Sequence, residues 1–209
     1  MTASHCEVPS EQARVRLGLY ASFQHAPSTA VRHVVQEELA AIMIPMGMVV
    51  YWRAFEDSQT DQWWHQIATI HFKGHCDASN LRVHPPQARV FGETCLSGGK
   101  VIPYAVVYCD AIRASLASSL ISMEPRNRTI VFGRAVSRVL AHELYHVLTR
   151  TTERRSGGLG AASFTPQSLV ADEFRFHGRD LQRLRLAIAS RPPAAAFEVG
   201  NPLCQSGEE

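Results

Sequence analysis

The sequence predicts an α+β fold, a mixed sheet packed on one long helix with a small, mainly helical C-terminal part. Three observations predict it. Runs rich in β-branched and aromatic residues fall in the first half of the chain, a long apolar stripe of helical period follows, and glycine- and proline-punctuated short helical segments close it. At 209 residues with 45% hydrophobic and 19% charged content, the chain has material for a substantial core, and one domain spanning 1–209 is expected.

Residues 1–14 are polar and proline-containing, and are expected to be loosely attached. Ser28 or Thr29 can cap a helix through Val31, Val34, Val35, Leu39 and Ile42, with Glu37 and Glu38 facing water and Pro45 and Gly47 ending it. MVVYWRAF (48–55) reads as a strand, a polar stretch with Trp63 and Trp64 follows, and 67–72 reads as another strand. Further strands are expected at 89–92 and 101–108, separated by the turn-rich CLSGGK. Asp110 can cap a helix through Ile112, Leu116, Leu120 and Ile121, and MEPRNRT (123–129) reads as a linker.

The stretch VFGRAVSRVLAHELYHVLTR (131–150) has no proline and carries Ala135, Val136, Val139, Leu140, Leu144, Val147 and Leu148 on an apolar stripe, so a helix is expected over 133–150. After the glycines at 157–160, Thr165 and Pro166 make a good cap and first residue for a short helix, and a last helix is expected over 179–189.

The chemistry sits on the long helix. His142 and His146 are four residues apart, hence one above the other with Cβ atoms about 6 Å apart, and both imidazoles can reach one metal ion. Glu143 emerges about 100° further round the axis, off the metal but within reach of a water that the metal activates, as a general base requires. Such a zinc site usually takes three protein ligands. Glu153 is the first choice, because the paired threonines and following glycines let the helix stop and the chain fold back; Glu173 is second and His177 third. Arg154 and Arg155, just past the helix, are candidates to hold a carboxylate or a peptide carbonyl.

The run His142, Glu143, His146 resembles the zincin metallopeptidases, in which both histidines bind zinc and the glutamate polarises the attacking water. The longer stretch VLAHELYHVLTRTT followed by GGLGAA is similar to a group of uncharacterised bacterial HExxH proteins, often exported, and the likeness extends upstream through 92–110. The chain departs from the metzincin pattern: Thr149 stands at its glycine, Thr152 at its third histidine, and no methionine follows Met123. In the bacterial group a histidine tends to follow the paired threonines, where this chain has Glu153 and Arg154. The resemblance implies a zincin sheet over an active-site helix, a Zn2+ cofactor, and a peptide or protein substrate that can add as a strand at the sheet edge. The expected activity is hydrolysis of peptide bonds with Glu143 as general base. The alternative is a catalytically weak or inactive zincin-fold protein-binding module with a structural or absent metal.

Cys76 and Cys109 end two apparent strands, IATIHFKGHC and VIPYAVVYC; these matching positions, with the frequent export of the similar proteins, suggest a disulfide between them. Other classes fit poorly. No G-x-S-x-G elbow occurs and no cysteine comes with a histidine signature. Net charge is only +2, so nucleic acid is not an expected partner, and Arg126, Arg128, Arg134 and Arg138 read as a solvated helix approach. No run approaches the roughly 18 apolar residues of a membrane span, so stable membrane insertion is not expected. MTASHCEVPSEQ lacks the pattern of a signal peptide, which taken literally places the protein in the cytoplasm, or in an exported location if a leader precedes it.

Overall fold

Among the described residues five strands and five α-helices organise the chain, and the strand at one edge of the sheet runs against the others. The computed structural model describes residues 15–54, 64–83, 90–153, 159, 164–172 and 174–190. In chain order these are β1 (Val15–His25), α1 (Thr29–Met43), β2 (Met48–Ala54), β3 (Gln66–His75), β4 (Gly92–Ser97), β5 (Lys100–Tyr108), α2 (Cys109–Ile121), α3 (Pro125–Thr149), α4 (Pro166–Val170) and α5 (Gly178–Ala189).

The sheet order is β2-β1-β3-β5-β4. All neighbours pair in parallel except β4, which lies antiparallel on β5 and forms one edge. Alternation assigns the faces: Leu17, Leu19, Ala68, Ile70, Phe72, Ala105 and Val107 are fully buried beneath α1 and α3, while Tyr20, Thr69, His71 and Tyr104 on the opposite face are half-buried. β1 carried no sequence expectation, because Gly18 and Ser22 interrupt its β-branched and aromatic pattern; its pairing with both β2 and β3 makes it central nonetheless. Among the described residues, no helix is long and apolar enough to cross a membrane.

Several caps fall where the sequence puts them. Ser28 accepts from the Val31 amide at the start of α1, and Thr165 with Ser168 forms a reciprocal capping box at α4. Other boundaries move. The strand expected at 89–92 is displaced: 90 and 91 lie outside the sheet, and β4 starts at Gly92 and runs to Ser97, where Gly98 and Gly99 take φ of 56° and 75° and close a two-residue hairpin turn, so most of CLSGGK is ladder. Asp110 does not cap α2 but lies in its first turn, where its carboxylate accepts from the His75 amide and from Arg113. MEPRNRT is no linker: Pro125 opens α3, and Arg128 donates to the carbonyls of Leu120, Ile121 and Met123 at the end of α2.

α3 therefore has 25 residues, and every one from Ala135 to Leu148 is buried. Over that stretch it has no polar face, so ionisable side chains there must find partners inside the protein. Arg138 is one of these, 2% exposed and bonded to Glu38 of α1. The expectations that Arg138 is solvated and that Glu38 faces water are thus both corrected: the helix they face is covered from both sides. Cys76 and Cys109 are joined, with Cα atoms 4.9 Å apart, tying the end of β3 to the start of α2.

Candidate metal centre

His142 and His146 lie in the last two turns of α3, and backbone carbonyls orient both rings. The Nδ1 of His142 donates to the Leu159 carbonyl at 2.6 Å, and the Nδ1 of His146 to the Thr151 carbonyl at 2.7 Å. A carbonyl can only accept, so both hydrogens sit on Nδ1 and the Nε2 atoms carry lone pairs. Those two Nε2 atoms converge to 3.1 Å. That spacing would let both nitrogens contact one zinc at its ordinary Zn–N distance of about 2.0–2.1 Å. Imidazoles fixed at Nδ1 by backbone carbonyls are also the arrangement that sets ligand tautomer and direction. Phe164 meets the His142 ring edge-on, with centroids 5.0 Å apart.

Glu143 is 3% exposed and faces β4. Thr94 Oγ1 donates to its Oε2 at 2.7 Å, and Gly92 makes room for it. A Cβ at Gly92 would lie 2.8 Å from Glu143 Oε1 and 2.9 Å from Val139 Cγ1, so this strand position accepts no side chain without displacing the carboxylate. Gly92→Ala is accordingly expected to destabilise the fold by about 1–3 kcal/mol, checked by urea unfolding; a loss below about 0.5 kcal/mol would show that Glu143 moves freely.

The other predicted site residues divide. Glu153 is exposed, and its Oε2 accepts from Arg183 of α5 at 2.8 Å. That bond raises the Arg183 pKa, and Arg183 also reaches the Tyr145 hydroxyl, which itself donates to the buried Asp180 at 2.9 Å. Burial first, then Asp180, raises the Tyr145 pKa, so it stays a phenol. His177 is exposed at the start of α5. Glu173, Arg154 and Arg155 lie outside the described residues. Among the described residues, no group of three His, Cys, Asp or Glu side chains is placed to hold a metal ion.

Cys95, next to Thr94, has its thiol pKa raised by burial first and by Glu93 and Glu143 next, so it is a poor nucleophile, in keeping with the absence of a cysteine-hydrolase signature. Sequence reasoning missed Thr94 and Gly92. Their signal was present in the strand alternation, two residues apart on one face, but was masked by reading CLSGGK as a turn. The carbonyls of Leu159 and Thr151 have no sequence signal, since any residue supplies a carbonyl.

A mixed sheet with one antiparallel edge strand, laid over a buried helix that carries His-Glu-x-x-His, defines a zincin-like architecture. No family model matches the chain, and no curated protein sequence matches it. Among solved structures, the archaemetzincin from Methanopyrus kandleri is similar over 87% of this chain and 99% of its own, with a TM-score of 0.50 and 12% identity. That likeness is one of fold.

Proposed function

We propose that the chain is a zincin-fold protein-binding module that keeps a two-histidine zinc site and has little or no peptidase turnover. The observation that carries this reading is the arrangement of Glu153. The residue expected to complete the shell is instead bonded to Arg183 on the exposed side of α5, while His142 and His146 are fully oriented. His142 and His146 would hold the zinc, and when bound it would supply Lewis acidity to a carbonyl beside it. Glu143 is positioned to accept a proton at Oε1 while Thr94 holds Oε2, which preserves the geometry of a general base. The binding surface we infer is the β4 edge, where Gly92–Ser97 offers backbone groups to an extended peptide as an added strand. The Cys76–Cys109 bond suits an oxidising compartment, so an exported setting belongs to the same proposal.

Titration of metal-free protein with Zn2+ tests the shell. His142→Ala and His146→Ala are expected to weaken zinc binding at least about tenfold, and Glu153→Ala to leave it within about twofold. A tenfold loss in Glu153→Ala would put that carboxylate on the metal. Incubation of the zinc-loaded parent with a broad peptide set is expected to give no cleavage. Cleavage that Glu143→Ala abolishes while zinc is retained would overturn the proposal in favour of a peptidase.

A further inference from the structure

Beyond the last turn of α3 the helix and the sheet part, leaving a cleft of about 510 Å3 whose lining includes Gln66, Lys100, Val101, Val147, Arg150 and Thr152. Its chemistry is one-sided. Lys100 and Arg150 are exposed, no hydrogen bond or ion pair joins either side chain to another described residue, and no acidic side chain is among the described residues lining the cleft. Val101, Pro103 and Val147 supply an apolar wall, and the Gln66 amide and Thr152 hydroxyl add neutral polar groups. The volume is that of a small-molecule site.

A second observation concerns the backbone. Arg150 ends α3 in the left-handed region, at φ 51° and ψ 38°, its amide donating to the His146 carbonyl. That position favours glycine, and a side chain there costs about 1 kcal/mol or more. The cation at a helix C-terminus recovers part of this through the exposed carbonyls. It also aims a guanidinium at a cleft that holds a second cation and an apolar wall, which the carbonyl interaction does not require.

We infer that this cleft binds an aliphatic carboxylate, with Arg150 and Lys100 on the carboxylate and the hydrocarbon against Val101, Pro103 and Val147. A guanidinium matches a carboxylate in a two-bond fork, and the ammonium adds a point charge. The same chemistry is offered by a free branched-chain acid and by the C-terminal residue of a peptide. The inference is independent of the metal, and its test uses metal-free protein.

The probes are 3-methylbutanoate, a hexapeptide ending in valine with a free carboxylate, and the same hexapeptide amidated. Calorimetry is expected to show saturable binding of at least one free-carboxylate probe, and amidation is expected to weaken the peptide at least about tenfold, any remaining affinity being that of the β4 edge for backbone groups. Tighter binding of the peptide than of the acid assigns the site to a chain terminus, and the reverse assigns it to a free acid. Lys100→Ala and Arg150→Gly are each expected to weaken binding at least about tenfold. Arg150→Gly is expected to fold at least as stably as the parent, since glycine is at ease in that conformation, so a loss of binding there reports the guanidinium. The inference is overturned if no probe binds below about 10 mM, if the amidated peptide binds as well as the free one, or if Arg150→Gly keeps the parent affinity.

Discussion

Replacing Arg138 with alanine is expected to lower the stability of the folded protein by about 3–5 kcal/mol, the usual cost of removing one partner from a buried ion pair. Arg138 Nε donates to Glu38 at 2.9 Å, and its NH1 group donates to the Leu169 and Ala171 carbonyls at 2.7 and 2.6 Å. Its guanidinium also lies over the Phe174 ring, 5.7 Å from the centroid. One side chain thus joins α1, α3 and the segment around α4. Without it, Glu38, only 17% exposed on its side chain, keeps a charge with a weaker partner in Arg134 at 3.7 Å, and two carbonyls lose their donor. Urea unfolding of Arg138→Ala, Glu38→Gln and the double variant checks this. The double variant should be less destabilised than the sum of the singles, because removing both charges leaves neither unpaired. A loss below about 1 kcal/mol in Arg138→Ala would show that the pair contributes nothing beyond solvation. The effect should extend to the proposed zinc site: Phe164, which packs on His142, and Phe174, which Arg138 covers, are themselves in contact with centroids 5.4 Å apart. Zinc binding in the variant is therefore expected to weaken by about tenfold, as when the supports of a ligand are removed.

Loss of the Cys76–Cys109 bond is the second large effect expected, about 3–4 kcal/mol in the double Cys→Ser variant. The bond closes a loop of 33 residues, and the cost arises mainly in the unfolded chain, which regains the conformations that the link removes. Both cysteines are almost wholly buried, so serine at either position also places a hydroxyl among apolar neighbours. Thermal or urea unfolding of the double variant measures the difference. Alkylation of the folded, oxidised protein gives an independent check: Cys95, a free thiol, is open to label, whereas Cys76 and Cys109 should stay unlabelled until reduction. Labelling of both without reductant would show that the bond does not form.

How much of this was legible in the sequence depended on how local the cause was. α1 and α4 could be read from their caps, since Ser28 and Thr165 act on amides three residues away. The pairing of Cys76 with Cys109 could be suggested because both end strands that the sheet makes neighbours. β1 could not be read, because its place in the sheet comes from partners on both sides and not from its own residues. Arg138 was misread for a related reason: an arginine on a helix looks solvated until one knows that α1 and the α4 segment both close over it. The histidine pair was legible from spacing alone. The surroundings of Glu153 were not, because its bond with Arg183 joins residues thirty positions apart.

The burial of α3 on every side from Ala135 to Leu148 has a consequence for how this protein can change. A side chain on a helix with a water-facing surface can be exchanged with little effect on its neighbours, but between Ala135 and Leu148 there is no such position. His142 and His146 satisfy carbonyls of the loop that follows, and Glu143 satisfies Thr94 of the edge strand. Loss of either histidine would leave a carbonyl without its donor, and loss of Glu143 would remove the shorter bond of Thr94, whether or not a metal ever binds. The His-Glu-x-x-His run is therefore held in place by folding as well as by chemistry, and a chain that had given up the reaction would still be bound to spell it.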